Sequence, residues 1–261
     1  MIDVSFSLVD FEYMILVLIR IASFMHAAPF YGQRGVPEQT KIGLSFFLSV
    51  ILCGLVPHPE LDYTGVMGYA IIVLKEGITG LLIGFAASIC NSIVLFAGNM
   101  IDMDIGLSMA MQFNSDLAIQ MTITGSLYYY ALFVLLLVSG MYTYILRAIC
   151  DSFYVIPIGG AVFEWDSLVL SMTKYMTDLF VIGFRIFLPV FACIMILNCI
   201  LGIMAKVAPQ MNMFSVGMQL KVIVGYTIVL ITVFMFSKAA TMIFEEIKVL
   251  IALFIEGMYG S

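Results

Sequence analysis

Residues 66–97 read VMGYAIIVLKEGITGLLIGFAASICNSIVLFA, an apolar run of about 32 residues whose only charges are the neighbours Lys75 and Glu76. As one helix rising about 1.5 Å per residue it measures roughly 48 Å. The hydrocarbon core of a bilayer is about 30 Å thick, so such a helix must tilt strongly, bend, or project beyond the lipid. Within the run, Gly77, Gly80, Gly84, Ser88 and Asn91 fall within an arc of roughly 80° at 100° per residue. Gly80 and Gly84 form a GxxxG pair, which lets a second backbone come close. This face predicts tight helix packing, either within the chain or against another subunit.

The composition extends that reading to the whole chain. Of 261 residues, 63% are hydrophobic and 11% charged, and the mean hydropathy is +1.12. A soluble domain carries roughly 25% charged residues, so lipid or equally apolar partner subunits must cover much of this exterior. Further runs at 11–28, 42–56, 126–149, 178–204 and 220–243 predict an all-α, polytopic membrane protein with about six hydrophobic helices arranged as hairpins. The expectation is one membrane-embedded helical domain over 1–261, with no soluble domain. The run 42–56 is short for a span and needs neighbours or local thinning. The net charge of −6 is spread over loops without a basic stripe, which argues against nucleic acid as a partner.

Asp3 and Asp10 precede the first run and Glu12 stands at its start, and no Lys or Arg occurs before Arg20. A secretory signal needs a basic leader, so 11–28 is expected to be a retained helix. Arg34 and Lys41, and Lys206 and Lys221, place their loops inside by the positive-inside rule, giving six spans with both termini outside. Loop 98–125 should then be inside, yet it carries Asp102, Asp104 and Asp116 and no basic residue. The cysteines Cys53, Cys90, Cys150, Cys193 and Cys199 are irregularly spaced with no C-x-x-C, and read as buried apolar thiols rather than a metal or disulfide framework. No cofactor is expected.

Four features carry functional weight. Arg20, Lys75, Glu76, Arg185 and Lys238 lie inside apolar runs; each must face a partner, a carbonyl or water. Adjacent Lys75 and Glu76 cannot face each other on a helix, so each needs a partner elsewhere. The segment 98–121, GNMIDMDIGLSMAMQFNSDLAIQM, is dense in methionine around Gly106, Ser108, Met109, Met111 and Phe113. Unbranched Met packs against irregular shapes, so the segment reads either as a pliable filler of an aperture or as a re-entrant or interfacial loop. Asp102 and Asp104, at i and i+2, share no helix face and read as locally solvated rather than catalytic. Pro209 interrupts the run 201–222, and Gln210, Asn212 and Ser215 follow it. That break belongs where protein or water covers it, between two hydrophobic hairpin arms. Pro189 marks a second kink.

The run Val207-Ala208-Pro209-Gln210-Met211-Asn212-Met213-Phe214-Ser215-Val216-Gly217, followed by Leu220-Lys221, resembles the signature of the FliR/SctT family of type III secretion export-gate subunits. Ala208, Pro209, Gln210, Asn212, Phe214, Gly217 and Lys221 carry the match. Ala28-Pro29-Phe30, Val36-Pro37, Gly77 to Gly84, Ala97-Gly98, Gly106-Leu107-Ser108, Arg147-Ala148, Ser152 and Ile156-Pro157 extend it over nearly the whole chain. Gln219 stands where many relatives have proline, and Val216-Gly217 favours the flagellar branch over the virulence branch. The resemblance implies a non-enzymatic subunit of the flagellar protein-export gate, in the bacterial inner membrane and the flagellar basal body. It further implies FliP-like and FliQ-like partners, an FlhB-like switch protein, membrane lipid, and unfolded flagellar proteins as cargo. The loop from Gly106 to Gln120 would be the pore plug. Two other readings are a small secondary transporter or ion channel, which needs paired broken helices with ion-coordinating acids, and a membrane enzyme, for which no H-E-x-x-H, G-x-S-x-G or paired carboxylates at catalytic spacing are present.

Overall fold

The structure, a computed structural model, describes residues 8–29, 31, 36–56, 63, 65–107, 122–208, 213–234 and 236–259, with backbone alone at 8, 9 and 213–215. Among the described residues the chain is helical, without strands. The helices are α1 (Leu8–Ala27), α2 (Glu38–Cys53), α3 (Gly65–Ala87), α4 (Ile89–Ile105), α5 (Ile123–Val138), α6 (Met141–Val155), α7 (Trp165–Val207), α8 (Met213–Val233) and α9 (Phe236–Glu256). Every hydrophobic run became helix, but fewer than six helices are both long and apolar enough to cross a bilayer. Three pass on length and composition: α3, α7 and residues 216–233 of α8; a fourth is gained if α5 and α6, bent by 72°, count as one. The 16-residue α2 is short, and α1 carries Asp10, Glu12 and Arg20.

The overlong third run is broken. Ser88 ends α3: its hydroxyl bonds the Phe85 carbonyl at 2.7 Å, while its amide is shared between Gly84 and Phe85 at 3.0 Å each. A serine hydroxyl competing for a turn's carbonyl commonly bends a helix. The expected loop 98–125 is also shorter than its sequence suggested. Residues 98–105 continue α4, because Ile101 and Ile105 are buried on one face four residues apart. Gly106, at φ +92°, then ends the helix in the left-handed conformation that glycine adopts without strain.

Two compact units divide the chain. The first comprises 1–89, 140–175 and 246–261; the second, 90–139 and 176–245. In the first, α1 is the core element, with Leu16, Val17, Ile21 and Phe24 inaccessible. It packs against α2 and α3, and the small-residue face of α3 lies on it. A β-carbon at Gly80 would overlap the Arg20 carbonyl, and one at Gly84 would sit 2.8 Å from the Phe24 carbonyl. At Gly77 it would meet Ile19 at an ordinary 3.6 Å. The segment before α7 is held to the end of α9 through Val162 N–H to the Met258 carbonyl and Glu164 N–H to the Gly257 carbonyl, both 3.1 Å.

In the second unit, backbone meets backbone where Gly98 of α4 faces Gly125 of α5, with no room for a β-carbon on Gly98. Phe96 makes edge contacts with Phe180 and Phe184 of α7 at 5.3 and 5.6 Å. Tyr128 of α5 stacks on Phe236 of α9 at 5.0 Å. Gly225 of α8 takes Ile105, leaving 2.6 Å for a β-carbon. Gly80→Ala is expected to cost about 1–3 kcal/mol from overpacking, whereas Gly77→Ala should be neutral or stabilising by up to about 1 kcal/mol. Thermal unfolding of the detergent-purified chain reads both; equal effects would contradict the close approach at Gly80.

Candidate functional site

The charged residues inside the apolar runs separate into a paired set and an unpaired set. Arg20 on α1 and Glu76 on α3 are fully inaccessible, with Arg20 Nε 2.5 Å from Glu76 Oε2. Arg20 Nη1 also donates to the Ile156 carbonyl at 3.0 Å and the Ser152 carbonyl at 3.4 Å, carbonyls at the C-terminus of α6 where a cation is favoured. The guanidinium carbon lies 4.3 Å from the Phe153 ring centroid, while Nη2 has no hydrogen-bond partner among the described residues. Glu76 Oε1 accepts the Gly159 amide at 2.9 Å, and Gly159 presents it from a left-handed turn at φ +80°. One ion pair thus joins α1, α3, the end of α6 and the turn that follows. Lys75, its side chain half-buried, makes no ion pair among the described residues.

A second buried acid lies near the end of α4. Asp102, expected to be solvated, is inaccessible: Oδ2 accepts the Thr124 amide at 2.8 Å and Oδ1 accepts the Thr124 hydroxyl. Its charge sits at the N-terminus of α5, where the free amides and the helix dipole favour an anion. Alongside, Thr122 caps the same helix, taking the Gly125 amide at 3.3 Å and donating to Asn99 at 3.0 Å. The signals available in sequence were Thr122 and Thr124 as caps and the small pair Gly98 and Gly125, 27 positions apart. Nothing local ties them together. The two ends of segment 107–121 are therefore fastened to each other through α4 and α5. Gly106 is placed at that boundary; Ser108, Met109, Met111 and Phe113 lie outside the described residues.

Asp104, two residues on, differs from Asp102. One carboxylate oxygen is buried without a hydrogen-bond partner among the described residues, in a cavity of about 510 Å³ lined by Met100, Met103, Phe184, Phe187, Leu188 and Phe191. Burial pushes its carboxyl above the usual range, and the charge of Lys221 pulls it back. Lys221 is the last residue of the signature run. Earlier in that run, Gly217 packs on Leu201, where a β-carbon would lie at 3.3 Å, and half-buried Ala208 follows the end of α7. Pro209, Gln210 and Asn212, and the side chain of Phe214, lie outside the described residues. Within the small-residue set, Ser88 supplies the break after α3, and Asn91 accepts from Cys90 Sγ at 3.7 Å.

Arg185 on α7 and Lys238 on α9 are far apart in sequence but line one cavity of about 210 Å³. Both are exposed at the chain surface and neither has an ion-pair partner among the described residues. Exposure also corrects the cysteine reading: Cys193 and Cys199 are exposed, Cys90 is buried, and Cys53 and Cys150 are partly so.

Residues 11–247 match the family model for bacterial export proteins, family 1. The chain belongs to that family. It is similar to the flagellar biosynthetic protein FliR of Bacillus subtilis, with 30% identity over 231 residues covering 86% of this chain and 88% of the relative. The flagellar biosynthetic protein FliR of Escherichia coli is 24% identical over 235 residues, 90% and 89% of the two chains. That of Aquifex aeolicus is 26% identical over 225 residues, 85% and 86%. The match to the export family spans residues of both units. Breaking the pair from one side, by Arg20→Met or Glu76→Gln, is expected to cost about 3–5 kcal/mol, and the double apolar replacement Arg20→Met with Glu76→Met should recover part of that loss. Unfolding of the purified variants decides this; additive losses would contradict a mutually dependent pair.

Proposed function

We propose that this chain is a non-enzymatic subunit of the flagellar type III protein-export gate, forming part of the membrane channel through which unfolded flagellar proteins pass. The observation that carries the reading is α7. It is 43 residues long, yet only 17% of its apolar window is buried within its own chain. At about 65 Å the helix is twice as long as a hydrocarbon layer is thick, so protein neighbours must cover what lipid cannot. In this reading, which the export-family match and the flagellar names of the relatives support, those neighbours are FliP-like and FliQ-like subunits and an FlhB-like switch protein, in the inner membrane at the flagellar basal body.

In this reading the methionine-rich segment from Gly106 to Gln120 closes the passage. The Asp102 and Thr122 bonds hold its two ends at a fixed separation while methionine side chains adapt to whatever fills the aperture. The signature run after α7 makes the turn between two hairpin arms. The substrate is polypeptide, the work is passage rather than bond chemistry, and the energy comes from elsewhere in the apparatus.

Deleting Ser108–Asn114 is expected to let small ions leak through an otherwise closed gate. Conductance or ion flux across membranes containing the assembled gate reads the effect. Unchanged ion permeability together with unchanged export would remove the plug assignment.

A further inference from the structure

The cavity between α7 and α9 in the second unit has a composition that no described neighbour explains. Arg185 and Pro189 line it from α7, Lys238 from α9, and Tyr128 and Thr232 close its floor, their hydroxyls 3.4 Å apart. The remaining lining is apolar. Lys238 stands in the first turn of α9, where the exposed amides and the helix dipole already carry partial positive charge. A cation there is disfavoured unless an anion joins it. Two side-chain cations and a helix N-terminus thus converge on one pocket, and no described acid pairs with either cation.

The position along α7 indicates what kind of anion can reach the pocket. Arg185 is about 30 Å from each end of the helix by its rise. The residues before it are LFVIGF at 179–184, and those after it are IFLPVFACIMIL at 186–197. The apolar run begins at 179, directly after Asp178, so Arg185 lies about 10 Å inside it by the helix rise, where an unpaired cation is costly. The volume of about 210 Å³ modestly exceeds the roughly 150 Å³ that holds a benzene-sized group. A single acidic side chain fits within that volume.

We propose that this cavity receives an aspartate or glutamate side chain carried by an apolar helix of a neighbouring subunit, which pairs with both Arg185 and Lys238. The pairing rests on the reading of the chain as one subunit of an export assembly. It gives that assembly a register mark: a sliding apolar interface has no preferred position, and a single acid entering a doubly cationic pocket fixes one.

The test uses the assembled gate purified from membranes, with the photo-crosslinker p-benzoyl-phenylalanine in place of Ala239. The expected adduct is a peptide from an apolar segment of a co-purified subunit that contains Asp or Glu. Arg185→Met with Lys238→Met should reduce recovered assembly about tenfold or more at unchanged membrane levels of the chain. Arg185→Glu with Lys238→Glu should assemble only when the partner's acid is changed to lysine. An adduct to lipid, to this chain alone or to a segment lacking acids overturns the inference, as does normal assembly of the double methionine variant. Should that variant fail to accumulate, the crosslink, made with both cations intact, still decides. A chain that stays alone with all other subunits present removes the export-assembly reading together with the inference. An intact particle with the wrong contact removes the inference only.

Discussion

The constraint on which the rest of this structure depends is that its own chain covers little of its longest helix. Helix α7 runs through 43 residues with 17% of its apolar window buried. Leu188, Met195, Ile196 and Ile203 stand open on its surface. A hydrocarbon layer takes about 20 helical residues, and the apolar part of α7, residues 179–205, exceeds this by several. Apolar area left in water costs roughly 25 cal/mol per Å²; in the proposed reading the exposed rows meet other apolar protein. Within that frame Pro189 is tolerated, although it removes the amide that would bond the Arg185 carbonyl.

Given a poorly self-covered exterior, the fold must be specified from within, and buried acids do this in both units. Glu76 is held by Arg20 and the Gly159 amide, Asp102 by the amide and hydroxyl of Thr124. Hydrophobic association is non-directional; a buried carboxylate with fixed donors is not, because misplacing it leaves a charge unmatched. Glycines set the distances over which these bonds act. Gly80 and Gly84 bring α3 against the backbone of α1, and Gly98 and Gly125 bring α4 against α5.

Helix content and membrane class were legible because they follow from composition and run length, which the residues state directly. Of the small residues singled out by their period, Gly77, Gly80 and Gly84 lie against α1, whereas Ser88 ends α3 and Asn91 stands on α4. The placement of Asp102 was not, because its partner Thr124 is 22 positions away across a segment that reads as loop. The break at Ser88 was missed for a related reason: one serine in an apolar run carries no signal until its hydroxyl is seen on the Phe85 carbonyl. Arg20 and Glu76, 56 residues apart, were recognised as costly charges without being matched. Arg185 and Lys238 were likewise singled out as charges, but only the fold brings them to one cavity.

The account turns on whether companion protein, rather than lipid, covers α7. An apolar photoactivatable diazirine dissolved in the membrane, followed by mass spectrometry of the labelled peptides, measures that cover residue by residue. With the other gate subunits present, labelling of Leu188, Met195, Ile196 and Ile203 should fall to the level of buried Val190 and Ile194; with the chain alone it should be high. Equal, strong labelling of those four positions in both membranes would contradict the account.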